Sequence, residues 1–212
     1  MSTTELWVGL TSLFLALHLW AEHGARPTAI VVTKLLASTG FLLTALSVDA
    51  LAVPWGRWLF AGLCLAWLGD ACLLSRARSA FLAGLGAFLL GHVGYCIAFF
   101  VHGVDLHSTL TAIPPLGVAA LVIDRWLRPK LDDAMRLPVR AYIVVISAMV
   151  ALAFGAWRAG ASDLILLGAL SFYLSDLSVA RDRFVRREFL NRLWGLPAYY
   201  LGQLCLALSI CW

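Results

Sequence analysis

Apolar residues fill the chain in eight long runs, separated by short segments rich in Gly, Pro, Ser and Arg. A helix needs roughly 20 apolar residues to cross the hydrocarbon core of a bilayer, and most of the runs approach this length. The pattern predicts an all-α, polytopic membrane protein of about eight spans in a single transmembrane domain, residues 1–212. The predicted spans are 6–20, 29–48, 58–74, 81–101, 110–123, 141–157, 164–180 and 193–211. Turn residues, among them Pro54, Pro138 and Gly160, mark the predicted breaks.

Positive charges lie on one side of the predicted spans. The first, third, fifth and seventh loops carry thirteen Lys and Arg residues, whereas the opposite side carries Arg57 and Arg158. The thirteen are Arg26, Arg76, Arg78, Arg125, Arg128, Lys130, Arg136, Arg140, Arg181, Arg183, Arg186, Arg187 and Arg192. Because cytoplasmic loops are enriched in Lys and Arg, the bias predicts cytoplasmic basic loops and both termini outside.

Composition supports a membrane protein and explains the basic loops without a nucleic-acid partner. The chain is 62% hydrophobic and 13% charged, against about 45–50% and 25% in soluble domains. Loop arginines contact anionic head groups and set topology. The five cysteines show no CxxC pair and are expected to be core residues. Glu5, with no Lys or Arg before the first run, argues against a cleaved signal peptide, and the compact chain suggests a bacterial inner membrane.

Two aspartates interrupt the apolar runs, and the residues around them are similar. Asp70 lies in Trp-Leu-Gly-Asp-Ala-Cys and Asp176 in Tyr-Leu-Ser-Asp-Leu-Ser. An aspartate at the centre of a membrane helix costs about 2.5–3.5 kcal/mol on insertion scales, so such residues usually serve a function. Two neighbouring buried carboxyl groups favour one protonated acid and one ionised base, an arrangement suited to acid–base catalysis.

Other polar groups fall at a similar depth. Counted from the predicted span ends, Lys34, Tyr199 and Gln203 lie with both aspartates in the cytoplasmic half, His92 lies nearer the midplane, and His18 and Glu22 close the cytoplasmic end of the first span. A shared layer is what one cavity open to the cytoplasmic leaflet needs. The sequence therefore predicts one polar cavity on that side.

The aspartates also suggest an internal duplication. Asp70 and Asp176 are 106 residues apart, half of the 212-residue chain, and each precedes a basic loop. Each following span carries one polar group, His92 or Gln203. Two parallel four-helix repeats explain this pattern, and membrane folds built from repeats often place the site where the repeats meet.

Structural alternatives exist for each candidate. Asp70 or Asp176 paired with Lys34 satisfies both charges without any catalysis, and Lys34 is also close enough to the interface to snorkel. The two aspartates and His92 are metal-ligating types, but they lack an HExxH-like pattern, so no metal is expected. Packing alone also explains the candidate tyrosines.

Taken together, the motifs resemble the YhhN-type lysoplasmalogenase family. The residues that carry the resemblance are Lys34, Leu68-Gly69-Asp70, the run from Phe81 to Tyr95 that contains His92, Ser175-Asp176, and Tyr199-Tyr200 with Gln203. These motifs span the second to the eighth run. The chain departs from the family pattern at Leu35, where the family has proline after the lysine.

The resemblance implies an eight-span enzyme that hydrolyses the vinyl ether bond of lysoplasmalogens without a cofactor. Its partners are then the lysophospholipid substrate and membrane lipids. The implied catalytic residues are Asp70, Asp176 and His92, and the implied substrate-binding residues are Lys34, Tyr95, Tyr199, Tyr200 and Gln203. Hydrolysis of a vinyl ether needs a positioned acid, a carboxylate near the developing cation, and one water, which two aspartates can provide.

Three other classes use similar features. An intramembrane aspartyl protease has Gly-x-Gly-Asp, but the first glycine is missing before Asp70. A proton-coupled transporter would use the aspartates and Lys34 as relay groups, although no proline lies beside either aspartate. A non-catalytic lipid-binding protein would hold lipid and release no aldehyde.

Overall fold

The computed structural model describes residues 2–75 and 77–211, and in these residues it contains helices and loops without strands. The predicted eight-helix, all-α fold is confirmed. The helices are α1 (Thr3–His23), α2 (Pro27–Ser47), α3 (Pro54–Leu73), α4 (Arg78–His102), α5 (Leu106–Leu127), α6 (Asp133–Arg158), α7 (Asp163–Ala180) and α8 (Phe189–Leu208). Short turns follow three of them: 3-10 turns Arg128–Lys130 after α5 and Ser209–Cys211 after α8, and a π-helical turn, Arg181–Val185, after α7.

Among the described residues, seven helices have the length and apolar composition of a membrane span. The remaining helix, α3, contains Arg57 and Asp70, which lower its mean hydropathy. Arg76, one of the loop charges, lies outside the described residues.

The predicted break at Pro138 is wrong. The sixth helix begins where the Asp132 side chain accepts a hydrogen bond from the Met135 backbone N–H at 2.9 Å, and Pro138 lies inside it. A proline in the second turn removes one helical hydrogen bond and leaves the preceding turn to be held by the cap. Arg136 and Arg140 therefore belong to α6 rather than to a loop, and Arg140 reaches Asp124 of α5 at 2.8 Å.

Seven helices form a closed ring. In order around it, α1 packs on α2, α2 on α3, α3 on α4, α4 on α6, α6 on α7, α7 on α8, and α8 returns to α1. The fifth helix packs chiefly on α6, outside the ring. Helices α2 and α3 also contact α8 across the ring, which brings the ends of α3 and α7 that carry the aspartates toward a common interior.

The packing repeats after four helices. Helix α2 packs on α3 and α8, and four helices later α6 packs on α7 and α4. The closely packed pair α3–α4 likewise has a counterpart in α7–α8. A Cβ atom on Gly62 would lie 2.9 Å from the Gly91 carbonyl oxygen, and one on Gly168 would lie 3.1 Å from that of Gly202. Gly62 and Gly168 are separated by 106 residues, as are Asp70 and Asp176. The repeated glycine contacts support the predicted duplication.

The α3–α4 contact gives a stability prediction. A Cβ atom on Gly62 would lie 2.5 Å from Tyr95 Cε1 as well as close to Gly91, whereas one on Gly86 meets nothing within 4 Å. We expect Gly62→Ala to lower the free energy of unfolding by about 1–3 kcal/mol through overpacking. Gly86→Ala, the matched control, keeps or raises stability because alanine favours helix. Thermal unfolding in detergent measures both, and equal melting of the two variants would contradict close packing at Gly62.

Candidate active site

Asp70 is held by three donors inside the helix ring. Its Oδ1 lies 3.1 Å from Lys34 Nζ. Its Oδ2 accepts hydrogen bonds from Ser38 Oγ at 2.6 Å and from Tyr199 OH at 2.7 Å. The Asp70 side chain is 4% exposed and that of Lys34 is 12% exposed. A buried carboxylate needs a paired cation and hydrogen bonds, and Lys34, Ser38 and Tyr199 provide both for Asp70.

The local sequence of α2 explains two of these contacts. Lys34 and Ser38 are four residues apart, so they lie on one face of the helix, toward α3. Tyr200 supports the same face from α8, because its hydroxyl lies 3.0 Å from Ser38 Oγ and donates to the Lys34 carbonyl oxygen at 3.3 Å. Tyr200 therefore orients the partners of Asp70 and does not line the cavity.

Asp176 has different partners. Tyr142 OH donates to its Oδ2 at 2.8 Å, and His92 Nε2 lies 3.7 Å from the same oxygen. Within the described residues no Lys or Arg lies within ion-pair distance of Asp176, and its side chain is 18% exposed. The second carboxyl group is thus more accessible than Asp70 and has no neighbouring ammonium or guanidinium.

Each carboxylate is contacted in the same way by the repeated helices. The preceding helix in the chain contacts each aspartate: Lys34 of α2 pairs with Asp70, and Tyr142 of α6 donates a hydrogen bond to Asp176. A helix of the other repeat also contacts each aspartate: Tyr199 of α8 donates a hydrogen bond to Asp70, and His92 of α4 lies near Asp176. The contacting helices correspond, but the residues are not at the 106-residue spacing of the aspartates, and only one of the two carboxyl groups has a lysine.

Both aspartates line one cavity of about 630 Å³. Its inner end carries Asp70, Asp176, Lys34, Tyr142 and Tyr199. One wall is apolar and comes from α4, α5 and α6, with Phe81, Leu85, Ile123, Leu127, Val139 and Ile143. The far end is lined by the arginine-rich connection between α7 and α8. The cavity therefore joins one buried and one partly exposed carboxyl group, an apolar surface and a basic mouth.

A second polar cluster lies deeper and outside the cavity lining. Tyr95 OH donates to Gln203 Oε1 at 2.8 Å, and both side chains are fully buried. Gln203 Nε2 and both ring nitrogens of His92 have no hydrogen-bond partner in the described part of the chain. These residues pack behind the two aspartates, with the His92 and Tyr95 ring centroids 6.2 Å apart.

The structure thus sorts the predicted site residues into two groups. Asp70, Asp176, Lys34 and Tyr199 line the cavity, as one polar layer requires. His92, Tyr95, Tyr200 and Gln203 lie behind them. Residues 2–75 and 77–211 contain no group of three or more His, Cys, Asp or Glu residues that could hold a metal ion.

Sequence reasoning missed two direct partners of the aspartates, Ser38 and Tyr142. Ser38 had a signal, since it lies one turn after Lys34 on the same helix face. Tyr142 had none, because a tyrosine near a span end is usually an interface residue.

The fold and this cavity define a polytopic helical membrane protein with two carboxyl groups that line one internal cavity. The sequence model of the YhhN family matches residues 29–210. The chain belongs to the YhhN family, as the motifs predicted.

Several relatives carry an activity in their names. Lysoplasmalogenase TMEM86A of Bos taurus is 30% identical over 182 residues, which cover 80% of this chain and 68% of the relative. Lysoplasmalogenase of Mycobacterium bovis is 32% identical over 196 residues, which cover 84% of this chain and 71% of the relative. Lysoplasmalogenase TMEM86B of Mus musculus is 34% identical over 157 residues, which cover 72% of this chain and 63% of the relative. No solved structure matches the chain significantly.

The ion pair gives a second stability prediction. Lys34→Met leaves the Asp70 carboxylate buried without its cation, and breaking a buried pair in this way costs about 3–5 kcal/mol. We expect the double variant Lys34→Met/Asp70→Asn to recover much of that loss, because the uncompensated charge is gone. Thermal unfolding of the single and double variants in detergent measures the difference. A Lys34→Met protein as stable as the wild type would contradict the pairing.

Proposed function

We propose that this protein is a lysoplasmalogenase, which hydrolyses the vinyl ether bond of a lysoplasmalogen to a fatty aldehyde and glycerophosphoethanolamine or glycerophosphocholine. Family membership and the names of relatives from bacteria and mammals support this activity. The observation that carries the mechanism is the shared cavity, in which two differently held carboxyl groups face a space with an apolar wall. Such a space suits a lipid whose reactive bond joins a polar glycerol to an alkenyl chain.

The acid in this proposal is Asp176. The reaction begins with proton transfer to the β-carbon of the vinyl ether, which needs a protonated carboxyl group beside the double bond. Asp176 has the more exposed side chain and is contacted by Tyr142 and His92 rather than by a lysine. Because no Lys or Arg of the described residues pairs with Asp176, this proposal assigns the proton to Asp176 rather than to Asp70.

The stabilising anion is Asp70. Protonation of the substrate produces an oxocarbenium ion, and a fixed negative charge nearby lowers the energy of that cation. Lys34, Ser38 and Tyr199 hold Asp70 in place before any substrate arrives, so little reorganisation is needed as the charge develops. Tyr199 also lines the cavity.

Water completes the reaction. After proton transfer Asp176 is a carboxylate, and it takes a proton from the water that adds to the oxocarbenium carbon, which gives a hemiacetal and restores the acid. The hemiacetal hydroxyl proton then passes to the departing glycerol oxygen as the aldehyde forms. Apart from the lysoplasmalogen, the overall reaction consumes only one water molecule. His92, whose Nε2 lies 3.7 Å from Asp176 Oδ2 without a hydrogen bond, is assigned as a positioning residue that packs beside Asp176.

The membrane in which the protein lies, and the side that the cavity faces, are also part of the proposal. The arginine-rich end of the cavity would face the cytoplasm of a bacterial inner membrane, since thirteen of the sixteen Lys and Arg residues belong to that side. The head group then stays near cytoplasmic water while the alkenyl chain remains in lipid. Membrane lipids and the lysophospholipid substrate are the expected partners.

Aldehyde release tests the function and the site together. We expect the purified wild type to release fatty aldehyde from a lysoplasmalogen, and Asp176→Asn and Asp70→Asn each to lower kcat by about 10²–10⁴-fold, because an amide neither donates the proton nor carries the charge. Asp49→Asn is the matched control, since Asp49 is exposed and outside the cavity lining.

Two outcomes would contradict the proposal. Full activity in both cavity variants would remove the aspartates from the mechanism. A folded wild type that releases no aldehyde, yet carries protons across vesicles when a solute is added, would support a transporter instead.

A further inference from the structure

The connection between α7 and α8 is folded and cross-linked by hydrogen bonds. The π-helical turn closes where the Arg186 backbone N–H donates to the Arg181 carbonyl oxygen at 2.8 Å. Asn191, which is fully buried, donates to Asp182 Oδ1 at 3.0 Å and to the Arg186 carbonyl oxygen at 2.7 Å. A loop that served only as a topology signal needs charge but no fixed shape. The arginines of this connection are therefore held in defined positions.

Of the five arginines in this connection and the first turn of α8, three are already paired with carboxylates. Arg181 pairs with Glu188 at 3.1 Å and also bonds the Asn191 side chain. Arg186 pairs with Glu188 at 2.5 Å. Arg192 pairs with Glu22 of α1 at 2.9 Å and lies 3.5 Å from Asp182. These pairs fasten the connection to itself and to α1.

The remaining two, Arg183 and Arg187, have no carboxylate partner within the described ranges 2–75 and 77–211, and both line the cavity. The Arg183 guanidinium lies over the Phe81 ring, 4.2 Å from its centroid, and Phe81 is part of the apolar wall. Stacking on an aromatic ring leaves the edge of a guanidinium free to donate hydrogen bonds. The mouth of the cavity thus presents two arginines with free donors.

We propose that Arg183 and Arg187 bind the phosphate group of the substrate at the mouth of the cavity. This inference rests on the proposed function and adds a head-group site to it. Arginine binds phosphate through paired, charge-assisted hydrogen bonds. Arg183 follows Asp176 by seven residues, or roughly 10 Å along a helix, and the glycerol unit of a lysophospholipid separates the vinyl ether from the phosphate by a comparable span. The two arginines therefore place the reactive bond beside the carboxyl groups.

A binding experiment tests the site independently of turnover. The probes are a 1-O-alkyl lysophosphoethanolamine, whose saturated ether is not a vinyl ether, and the matching 1-O-alkylglycerol, which lacks phosphate. We expect Arg183→Gln/Arg187→Gln to weaken binding of the phosphorylated probe about tenfold or more, as the loss of charged hydrogen bonds predicts, and to leave binding of the alkylglycerol unchanged. Calorimetry in lipid nanodiscs measures both constants.

The control is Arg125→Gln/Arg128→Gln, which removes the same charge at the same end of the protein from residues that do not line the cavity. This variant should bind both probes as the wild type does. Equal weakening in the two double variants, or unchanged binding of the phosphorylated probe by Arg183→Gln/Arg187→Gln, would overturn the phosphate site. Because the probes are not hydrolysed, these outcomes are separate from a failure of aldehyde release.

Inorganic phosphate distinguishes the source of the ligand. If it competes with the phosphorylated probe in the wild type and not in Arg183→Gln/Arg187→Gln, the site takes a phosphate group from either source. If it does not compete while the loss of probe affinity persists, the site takes phosphate carried by a lipid. In turnover, the same variant should raise KM for the lysoplasmalogen with little change in kcat, as lost ground-state binding requires.

Discussion

The ion pair between Lys34 and Asp70 is the interaction on which the site depends. Two opposite charges at 3.1 Å inside a helix ring tolerate burial only if both are paired and hydrogen-bonded. That requirement fixes α2 against α3 and brings the Tyr199 hydroxyl of α8 to the same carboxylate. It also gives Lys34 a carboxylate partner inside the cavity, while its predicted contact with the substrate stays a prediction. The other carboxyl group, Asp176, has no Lys or Arg within ion-pair distance among the described residues, which is why we propose it as the acid.

The predicted internal duplication, which the repeated helix packing supports, accounts for two carboxyl groups in one chain. The α3–α4 and α7–α8 pairs meet through equivalent glycines, and Asp70 and Asp176 occupy equivalent places on the first helix of each pair. Their partners come from equivalent helices, yet Lys34 of α2 corresponds to Tyr142 of α6 in that role. In the proposed mechanism, this one changed partner distinguishes the anion, Asp70, from the proton donor, Asp176. The resulting cavity lies between the repeats, where membrane proteins of this kind often place their sites.

Much of this arrangement follows from the sequence, for a physical reason. Apolar runs and charge bias report on burial in lipid, so the eight helices were predicted and are confirmed, as is the family. Depth along a helix follows from residue counting, which is why Lys34, Asp70 and Asp176 line one cavity. Proline was a poorer guide, because one missing hydrogen bond does not end a helix such as α6 that has a strong cap at Asp132.

Which side chains meet across helices did not follow. Rotation of each helix about its axis is set by packing, here by small residues such as Gly62 and Gly168, and counting along one chain does not reveal it. For that reason the hydroxyl donors Ser38 and Tyr142 were not predicted, and Tyr95 with Gln203 proved to lie behind the cavity. The catalytic roles of the aspartates and of His92 stay predictions that rest on geometry.

Infrared difference spectroscopy tests the central claim, that the two carboxyl groups differ in charge, most directly. A protonated carboxyl group has a carbonyl stretching band that a carboxylate lacks. At neutral pH we predict this band in the wild type and in Asp70→Asn, and its loss in Asp176→Asn. A band that disappears in Asp70→Asn and persists in Asp176→Asn would reverse the assignment. Absence of the band from the wild type would contradict the proposed acid altogether.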